Sequence, residues 1–283
     1  MRKHNPPYIG VIIVLYNDIH LNFKSIIGNE KLQLIIVDNT PNRDLNLNDI
    51  NLNYIPLKKN IGIAKAQNIG IQKAKEIGCS NIIFFDQDSV IQEETIFSLA
   101  KGFTELTNSG IKIAAIGPTI INKTTHEKYK SQGNSSEKYS EVSTLISSGT
   151  YTSLKVVNEV GGMEDNLFID LVDHEWCWRA QNKGYKLFLS NSITINHSVG
   201  NDQCSLLGFP IIISTPFRYY YIYRNTLLMF GRNYVPLNWK MKRIIRSLAT
   251  LIFIPFSKRF KNQKTDSIKN ASKGIFDALF HKK

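Results

Sequence analysis

The sequence predicts an α/β protein built on an open, mostly parallel sheet flanked by helices. Short runs rich in Ile, Val, Leu and Phe recur through the first hundred residues, and a segment of helical periodicity lies among them. Continuous apolar runs are typical of strands that are covered on both faces, as in parallel sheets. Alternating strands and helices favour right-handed crossovers, and such sheets bind ligands at the carboxyl ends of their strands.

Four strands are predicted first, over residues 8–16, 32–38, 53–57 and 81–86. A helix between the third and the fourth is indicated by residues at helical spacing, namely Ile63, Ala66, Gly70, Ala74 and Ile77. Gly78 supplies its stop signal. Farther along, residues 122–143 are polar and predict an exposed excursion or a short hairpin. Residues 174–185 predict a short helix that Gly184 closes.

The charge of the chain is unevenly distributed. The formal net charge is +12, yet residues 217–283 hold 15 Lys and Arg against two Asp. The other 216 residues hold 20 basic and 21 acidic side chains. We therefore predict two regions, a main domain over 1–215 and a helical, basic, amphipathic C-terminal region over 216–283. A basic region of this kind fits an anionic lipid surface or a nucleic acid.

The longest apolar run of the C-terminal region covers residues 248–256, about half of the ~20 residues that a bilayer span needs. This length favours an interfacial helix that lies flat, with Lys and Arg at the headgroups. The alternative is a helical subdomain that packs on the main domain and exposes a basic, solvated face.

Cysteine usage and the first residues indicate a reducing compartment. Three cysteines, Cys79, Cys177 and Cys204, form an odd set without a CxxC spacing, which argues against a disulfide framework. Residues 1–18 hold an interrupted apolar stretch and no small-residue cleavage site, so they predict a first strand rather than a signal peptide. A cytoplasmic location follows as the expectation.

Two aspartates, Asp86 and Asp88, follow the fourth strand in the segment FFDQDS. In an extended backbone, residues two apart point the same way, so both carboxylates can face one site. Adjacent carboxylates repel each other, and Mg²⁺ or Mn²⁺ resolves the conflict by binding them together with water and substrate phosphates. The alternative is a turn in which aspartate caps backbone amides.

A second acidic cluster lies in FIDLVDHEWCWRA, residues 168–180. Asp173 precedes the predicted helix and could be its N-cap, a general base, or both. Trp176 and Trp178 are predicted to offer aromatic faces to sugar rings. The pair His174-Glu175 lacks the second histidine of HExxH, so a zinc-peptidase site is excluded.

Five other residues could belong to the site, and each of them also has a purely structural explanation. Asp38 ends the second strand, where an Asx turn competes with hydrogen bonding to a nucleoside. Asn60, Gly62 and Asn68 could contact a nucleotide or serve the loop and the helix packing. His197 could be a metal ligand or a hydrogen-bonded residue. The chain has no GxGxxG after its first strand and no GxxxxGK[ST], which disfavours dinucleotide and NTPase sites.

Together these segments resemble the inverting glycosyltransferases of family 2, which have the Rossmann-like GT-A fold. The resemblance covers roughly residues 8–200 and runs in order through VIIVLYN, IIVDNT, NIGIAKAQNIGI, DQDS, SSGTYTS, GGMEDNLFIDLVDHEWCWRA and NHSVG. With YYYIYRN, it is most similar to the bacterial rhamnosyltransferases that use dTDP-rhamnose to build cell-surface polysaccharide such as O-antigen. Galactofuranosyltransferases are similar through the FIDxxDxEW segment, so a different hexosyl donor remains an alternative.

The resemblance implies roles on the donor side of the site. Asp38 would contact the pyrimidine base, and Asn60, Gly62 and Asn68 would lie near the nucleotide. Asp86 and Asp88 would contact the ribose, the diphosphate and the Mg²⁺ or Mn²⁺ ion. Of the two, Asp88 would be the more direct metal ligand. His197 would complete the metal site.

On the acceptor side, the resemblance makes Asp173 the catalytic base. The family often has another acidic residue just before the base, but Val172 stands there in this chain. Asp170 and Glu175, with Trp176, would shape the acceptor pocket. The implied acceptor is a polyprenyl-diphosphate-linked saccharide at the inner leaflet of the cell membrane, to which the C-terminal region would bind peripherally. A nucleic-acid-binding protein with a basic arm is the alternative from a different class, and the near-neutral main domain disfavours it.

Overall fold

The protein is described here from a computed structural model, which covers residues 8–17, 26–45, 52–122, 137–197, 204–206, 209–211, 213–257, 260 and 262–280. The strands are β1 Tyr8–Leu15, β2 Leu32–Asp38, β3 Leu52–Pro56, β4 Cys79–Asp86, β5 Ile113–Asn122, β6 Tyr139–Val142, β7 Tyr151–Ser153, β8 Lys186–His197, β9 Cys204–Leu206 and β10 Phe209–Ile211. The helices are α1 Ile63–Glu76, α2 Glu93–Asn108, α3 Leu154–Val160, α4 Val172–Asn182, α5 Pro216–Phe230, α6 Leu237–Phe256 and α7 Lys264–Phe280. A short 3₁₀ helix covers Asp165–Leu167.

Eight strands form one mixed sheet in the order β3-β2-β1-β4-β7-β5-β8-β6. The first four are mutually parallel, as the apolar runs predicted. The three-residue β7 runs antiparallel to both β4 and β5, and β8 runs parallel to β5. Strand direction in this half depends on tertiary pairing, because a buried strand has the same apolar pattern in either direction.

The predicted strands and first helix agree with the structure to within about two residues at most ends. The apolar runs of β1, β2 and β4 are buried almost throughout and form the main core with α1, α2 and α3. Gly70 lets α1 approach the sheet closely, since a Cβ there would lie 2.6 Å from the side chain of Ile12. The polar segment predicted over 122–143 includes β6, an edge strand of the sheet.

The C-terminal region is helical, as predicted, and it packs on the main domain. Its first helix, α5, and the following turn share a hydrophobic cluster with residues near α4, comprising Ala64, Leu167, Leu171, Val172, Trp178, Met229 and Val235. A second cluster joins α5, α6 and α7. None of the described helices combines the length and the apolar character that crossing a membrane requires. The boundary between the two regions stays a prediction.

Candidate active site

The carboxyl ends of neighbouring strands place two of the predicted aspartates beside β1. Asp38 is paired with Leu15 and Asp86 with Val14, so the carboxylates end the strands on either side of β1. Asp38 is fully buried, and Asp86 is half-buried. Both residues therefore lie at the carboxyl ends of the strands, where the sequence predicted that ligands bind.

The Asp38 carboxylate is held by three neighbouring groups. Arg43 donates from Nε to Oδ2 at 2.6 Å and from Nη2 to Oδ1 at 2.8 Å. The Tyr54 hydroxyl donates to Oδ2 at 2.8 Å, and the Thr40 amide donates to Oδ1 at 3.0 Å in the Asx arrangement that the sequence allowed. Burial would raise the pKa of Asp38, but these hydrogen bonds lower it below the usual value. Arg43 and Tyr54 were not predicted as site residues, because no local motif in the sequence marks them.

Asp86 and Asp88 are joined by a turn rather than by extended backbone. Strand β4 ends at Asp86, and the Ser89 amide donates to the Asp86 carbonyl at 3.0 Å. Because the backbone turns after Asp86, the expectation that Asp86 and Asp88 share one face of an extended strand does not hold. Asp88 is exposed, while the side chain of Gln87 accepts from the Tyr16 amide at 2.7 Å. Within the described residues no group of three or more His, Cys, Asp and Glu could hold a metal ion.

The segment that leads into α4 has a strained backbone. Phe168 has φ 63° and ψ −64°, and the Ile169 amide donates to the Leu167 carbonyl at 2.7 Å, which closes a γ-turn around Phe168. Asp170 and Leu171 also have positive φ angles, 71° and 66°. Each such residue costs on the order of 1–3 kcal/mol, and strained residues of this kind cluster at functional sites.

Asp173 lies in the first turn of α4 and is paired with its neighbour His174. The N-cap of α4 is Leu171, so the alternative that Asp173 caps the helix is wrong. Asp173 Oδ1 accepts from the His174 amide at 2.8 Å and lies 2.9 Å from His174 Nδ1. Burial would raise the pKa of Asp173, but the charge and hydrogen bonds of His174 lower it. The side chain remains 29% exposed, so this carboxylate can be reached from solvent.

Comparison with known proteins decides the family. A family model described as "Glycosyl transferase family 2" matches residues 10–161. The dTDP-rhamnosyl transferase RfbF of Shigella flexneri is 36% identical over 264 residues, which cover 86% of this chain and 88% of that protein. The chain belongs to glycosyl transferase family 2. It is a glycosyltransferase, as the resemblance implied.

Solved structures share the fold at low sequence identity. TarS 1–349 of S. aureus in complex with UDP-GlcNAc has a TM-score of 0.57 at 13% identity, covering 96% of this chain and 80% of that chain. GalNAc-T7 with UDP, GalNAc and Mn²⁺ has a TM-score of 0.55 at 13% identity, covering 92% of this chain and 58% of that chain. The chain spans 45% of a longer TarS structure, at a TM-score of 0.55. These likenesses confirm the GT-A architecture and show the fold alone.

In this family 2 glycosyltransferase the two tryptophans of α4 do not form a sugar-binding surface. Trp176 and Trp178 are each 2% exposed. Trp176 donates from Nε1 to the Gly161 carbonyl at 2.9 Å, and Trp178 packs edge-on against Trp239 of α6. The prediction that their faces are open to sugar rings is wrong, because Trp176 lies in the main core and the C-terminal region packs against Trp178.

Glu175 is likewise structural, and its assignment to the acceptor pocket is wrong. Its side chain is fully buried and accepts from Arg179 on both oxygens, at 2.9 and 2.8 Å. Arg232 and the Tyr234 hydroxyl donate to Oε1 at 3.0 and 2.6 Å. Because Arg232 and Tyr234 follow α5, the network joins α4 to the C-terminal region. Asp170, at 17% side-chain exposure, is paired with Arg243 of α6 at 2.9 Å.

Asn60 and Gly62 lie in the loop between β3 and α1, which is close in space to Asp38. Asn60 Oδ1 accepts from Asn39 Nδ2 at 2.9 Å and from the Gly62 amide at 3.0 Å. Gly62 has φ 85°, and a Cβ there would lie 2.6 Å from the ring of Phe168. The loop reading of these two residues is therefore supported, and their contact with a nucleotide stays a prediction.

Asn68 is directed away from the strand ends and towards the segment after α3. Its Nδ2 donates to the Met163 carbonyl at 2.8 Å and to Asp165 Oδ1 at 2.7 Å. Its Oδ1 accepts from the Met163 amide at 2.8 Å. These bonds use three of the four that an amide side chain can make, so the helix-packing reading accounts for this residue.

His197 is the last residue of β8, where its backbone pairs with Asn122 of β5. Its side chain lies outside the described residues. Strands β4 and β8 run in the same direction, because β7 is antiparallel to β4 and to β5 while β8 is parallel to β5. The carboxyl ends of β4 and β8 therefore lie at the same end of the sheet.

Proposed function

We propose that this enzyme transfers L-rhamnose from dTDP-rhamnose to a hydroxyl group of a growing cell-surface saccharide, with inversion at the anomeric carbon. The observation that carries the proposal is the 36% identity to a dTDP-rhamnosyl transferase over 86% of the chain and 88% of that protein. A similarity that extends along most of both chains supports a shared donor as well as a shared fold. Family membership by itself supports glycosyl transfer without naming the sugar.

Asp173 is the residue we assign as the base of this reaction. A single in-line displacement requires a group that removes the acceptor proton as the new C–O bond forms. The Asp173 carboxyl group has a lowered pKa, is partly exposed and is held in the first turn of α4. One displacement inverts the anomeric configuration, in agreement with the family resemblance.

We further propose that Mg²⁺ or Mn²⁺ binds between Asp86, Asp88 and His197. Asp86 ends β4, Asp88 follows two residues later, and His197 ends β8 at the same end of the sheet. An exposed carboxylate such as Asp88, with water and diphosphate oxygens, is a typical ligand set for these cations. When bound, the cation would offset the negative charge on the departing nucleoside diphosphate.

Replacing Asp88 with Ala is expected to weaken dTDP binding in the presence of Mn²⁺ by at least about tenfold, because a direct ligand is lost. Calorimetry with Mn²⁺ and with EDTA measures the effect, which should be small in EDTA. Asp266→Ala, at an exposed position of α7, is the control and should bind as the wild type does. Equal dTDP affinity with Mn²⁺ and with EDTA in the wild type would contradict the metal proposal.

The donor itself is tested with a panel of sugar nucleotides. Thermal shift and turnover are compared for dTDP-rhamnose, UDP-galactofuranose, UDP-glucose and UDP-GlcNAc. The proposal requires that dTDP-rhamnose gives the largest stabilisation and the fastest release of nucleotide. Preference for a galactofuranosyl donor would retain the reaction class and reject the sugar.

We also propose that the acceptor is a polyprenyl-diphosphate-linked saccharide and that the C-terminal region holds the enzyme on an anionic, cytoplasmic membrane surface. Helix α6 supports this proposal, because many of its large apolar side chains are exposed, whereas a surface helix usually turns its apolar stripe towards the core. Its buried face carries Ser247, Thr250 and Ile254. Its outward face carries seven large apolar side chains that are 38–82% exposed, namely Leu237, Met241, Ile244, Ile245, Leu248, Ile252 and Phe256.

Charge points to lipid as the partner of this outward face. Helix α6 contains four basic residues and no acidic ones. Lys242 is exposed beside the apolar stripe, and the whole of 217–283 has 15 basic residues against two acidic ones. A helix with an apolar face flanked by Lys and Arg is typical of insertion at the boundary between headgroups and acyl chains.

The double variant Leu248→Glu/Ile252→Glu is expected to lose at least about tenfold in affinity for vesicles containing phosphatidylglycerol, because two charges enter the apolar stripe. Co-sedimentation measures the loss. Thr265→Glu/Ser272→Glu is the control, with the same added charge at exposed polar positions of α7. Equal losses in both variants would show that net charge alone matters. A wild-type dimer that only the stripe variant dissociates would identify a second copy as the partner.

A further inference from the structure

One buried side chain, Asn225 of α5, is hydrogen-bonded to three backbone carbonyls of the strained segment before α4. Its Nδ2 lies 2.9 Å from the carbonyl oxygen of Leu167, 2.8 Å from that of Ile169 and 2.9 Å from that of Asp170. Asn225 is fully buried, and its Oδ1 accepts from the guanidinium of Arg224 at 3.1 and 3.0 Å. The orientation of the amide is therefore determined at both ends.

The same segment also accepts a hydrogen bond from α1. The amide of Ala64, in the first turn of α1, donates to the Phe168 carbonyl at 3.3 Å. The segment thus lies between α1 and α5, with positive φ angles at three residues that are not glycine. Positive φ is disfavoured for L-residues, so such a conformation persists only where the surroundings enforce it.

The strained segment leads directly to the proposed base. Leu171 is the N-cap of α4 with no side-chain cap bond, and its carbonyl accepts from the Glu175 amide at 2.9 Å. Asp173 is the second residue of this helix. The direction in which the first turn of α4 begins, and with it the position of the Asp173 carboxylate, therefore depends on the conformation of residues 167–171.

We propose that Asn225 is a positioning residue for Asp173, which acts by holding residues 167–171 in the conformation that orients the base. The catalytic part of this inference rests on the proposed function, whereas the hold on the segment does not. Asn225 is buried behind the segment and acts through its backbone. A displacement of the base by about 1 Å can cost roughly 10²-fold in rate, so a loss of this hold should appear in kcat.

The test compares Asn225→Ala with Tyr223→Phe, which removes one buried hydrogen bond of the same helix, from the Tyr223 hydroxyl to the Ser247 carbonyl at 2.8 Å. Asn225→Ala is expected to lower kcat with dTDP-rhamnose by about 10- to 100-fold, with the Kd for dTDP within about twofold of the wild type. Tyr223→Phe should keep kcat within about twofold. Equal kcat losses in both variants, or a loss confined to the Kd, would overturn the proposal.

Hydrogen exchange supplies a measurement that does not depend on the reaction. Amides of residues 167–176 should exchange at least about tenfold faster in Asn225→Ala than in the wild type and stay protected in Tyr223→Phe. Unchanged exchange would show that Asn225 does not hold the segment in place. This outcome does not depend on which donor the enzyme uses. If the alanine variant does not fold, Asn225→Ser, which retains one donor for one carbonyl, should show faster exchange and a lower kcat than the wild type. Wild-type values in the serine variant would reject the proposal.

Discussion

Replacing Asp173 with Asn is expected to lower kcat by roughly 10²- to 10⁴-fold and to change the Kd for dTDP by less than about twofold. The amide cannot accept the proton of the acceptor hydroxyl, yet it has nearly the same volume as the carboxylate. Asp173 also belongs to α4, whereas the donor-side aspartates Asp38 and Asp86 end β2 and β4. Steady-state turnover and calorimetry with dTDP separate the two effects. Transfer at near wild-type rate would reject the assignment of the base.

The pH dependence of kcat provides a control for this assignment. His174 lowers the pKa of Asp173 through its charge and hydrogen bonds, which outweigh the effect of burial, and the pKa of His174 is itself raised by Asp173 against the effect of burial. The acidic limb of the wild-type profile should therefore lie below the usual aspartate value. His174→Gln removes the positive neighbour, so the limb should move to higher pH. A limb that stays in place or moves to lower pH would contradict this pairing.

Replacing Glu175 with Gln is expected to destabilise the enzyme by about 3 kcal/mol, or roughly 6–12 °C in Tm. Glu175 is fully buried and neutralises Arg179 and Arg232, while Tyr234 donates a further hydrogen bond to it. An amide in its place turns a donor towards the two guanidinium groups and leaves them without a counter-charge. Thermal unfolding measures the loss.

The matched control is Glu141→Gln, which breaks the exposed pair with Lys186, where both side chains are about half-exposed. Exposed pairs contribute about 0–1 kcal/mol, so Tm should change little. The comparison also separates the two roles considered for Glu175. If Glu175 contacted the acceptor, as the sequence suggested, its glutamine variant would raise the KM for acceptor and melt like Glu141→Gln.

The α/β class, the first four strands and the residue types at their ends could be predicted from the amino-acid sequence. Apolar runs such as β1 and β4 are buried on both faces, so they are legible without tertiary information. The motif order around DQDS and FIDLVDHEW was also sufficient for the family, which the comparisons confirm. These features are local, because a strand or a short motif is defined by adjacent residues.

Which side chains face the site could not be predicted in this way, because it depends on tertiary packing. Trp176 and Glu175 have residue types that suit sugar binding, but Trp176 is buried in the main core and Glu175 beneath the C-terminal region. The bond from Arg232 to Glu175 spans 57 positions of the chain, and those from Asn225 to the segment before α4 span 55–58. No periodicity or spacing records such pairs. Burial and hydrogen bonding at this range depend on how the helices pack, and that packing separates the structural residues of α4 from Asp173.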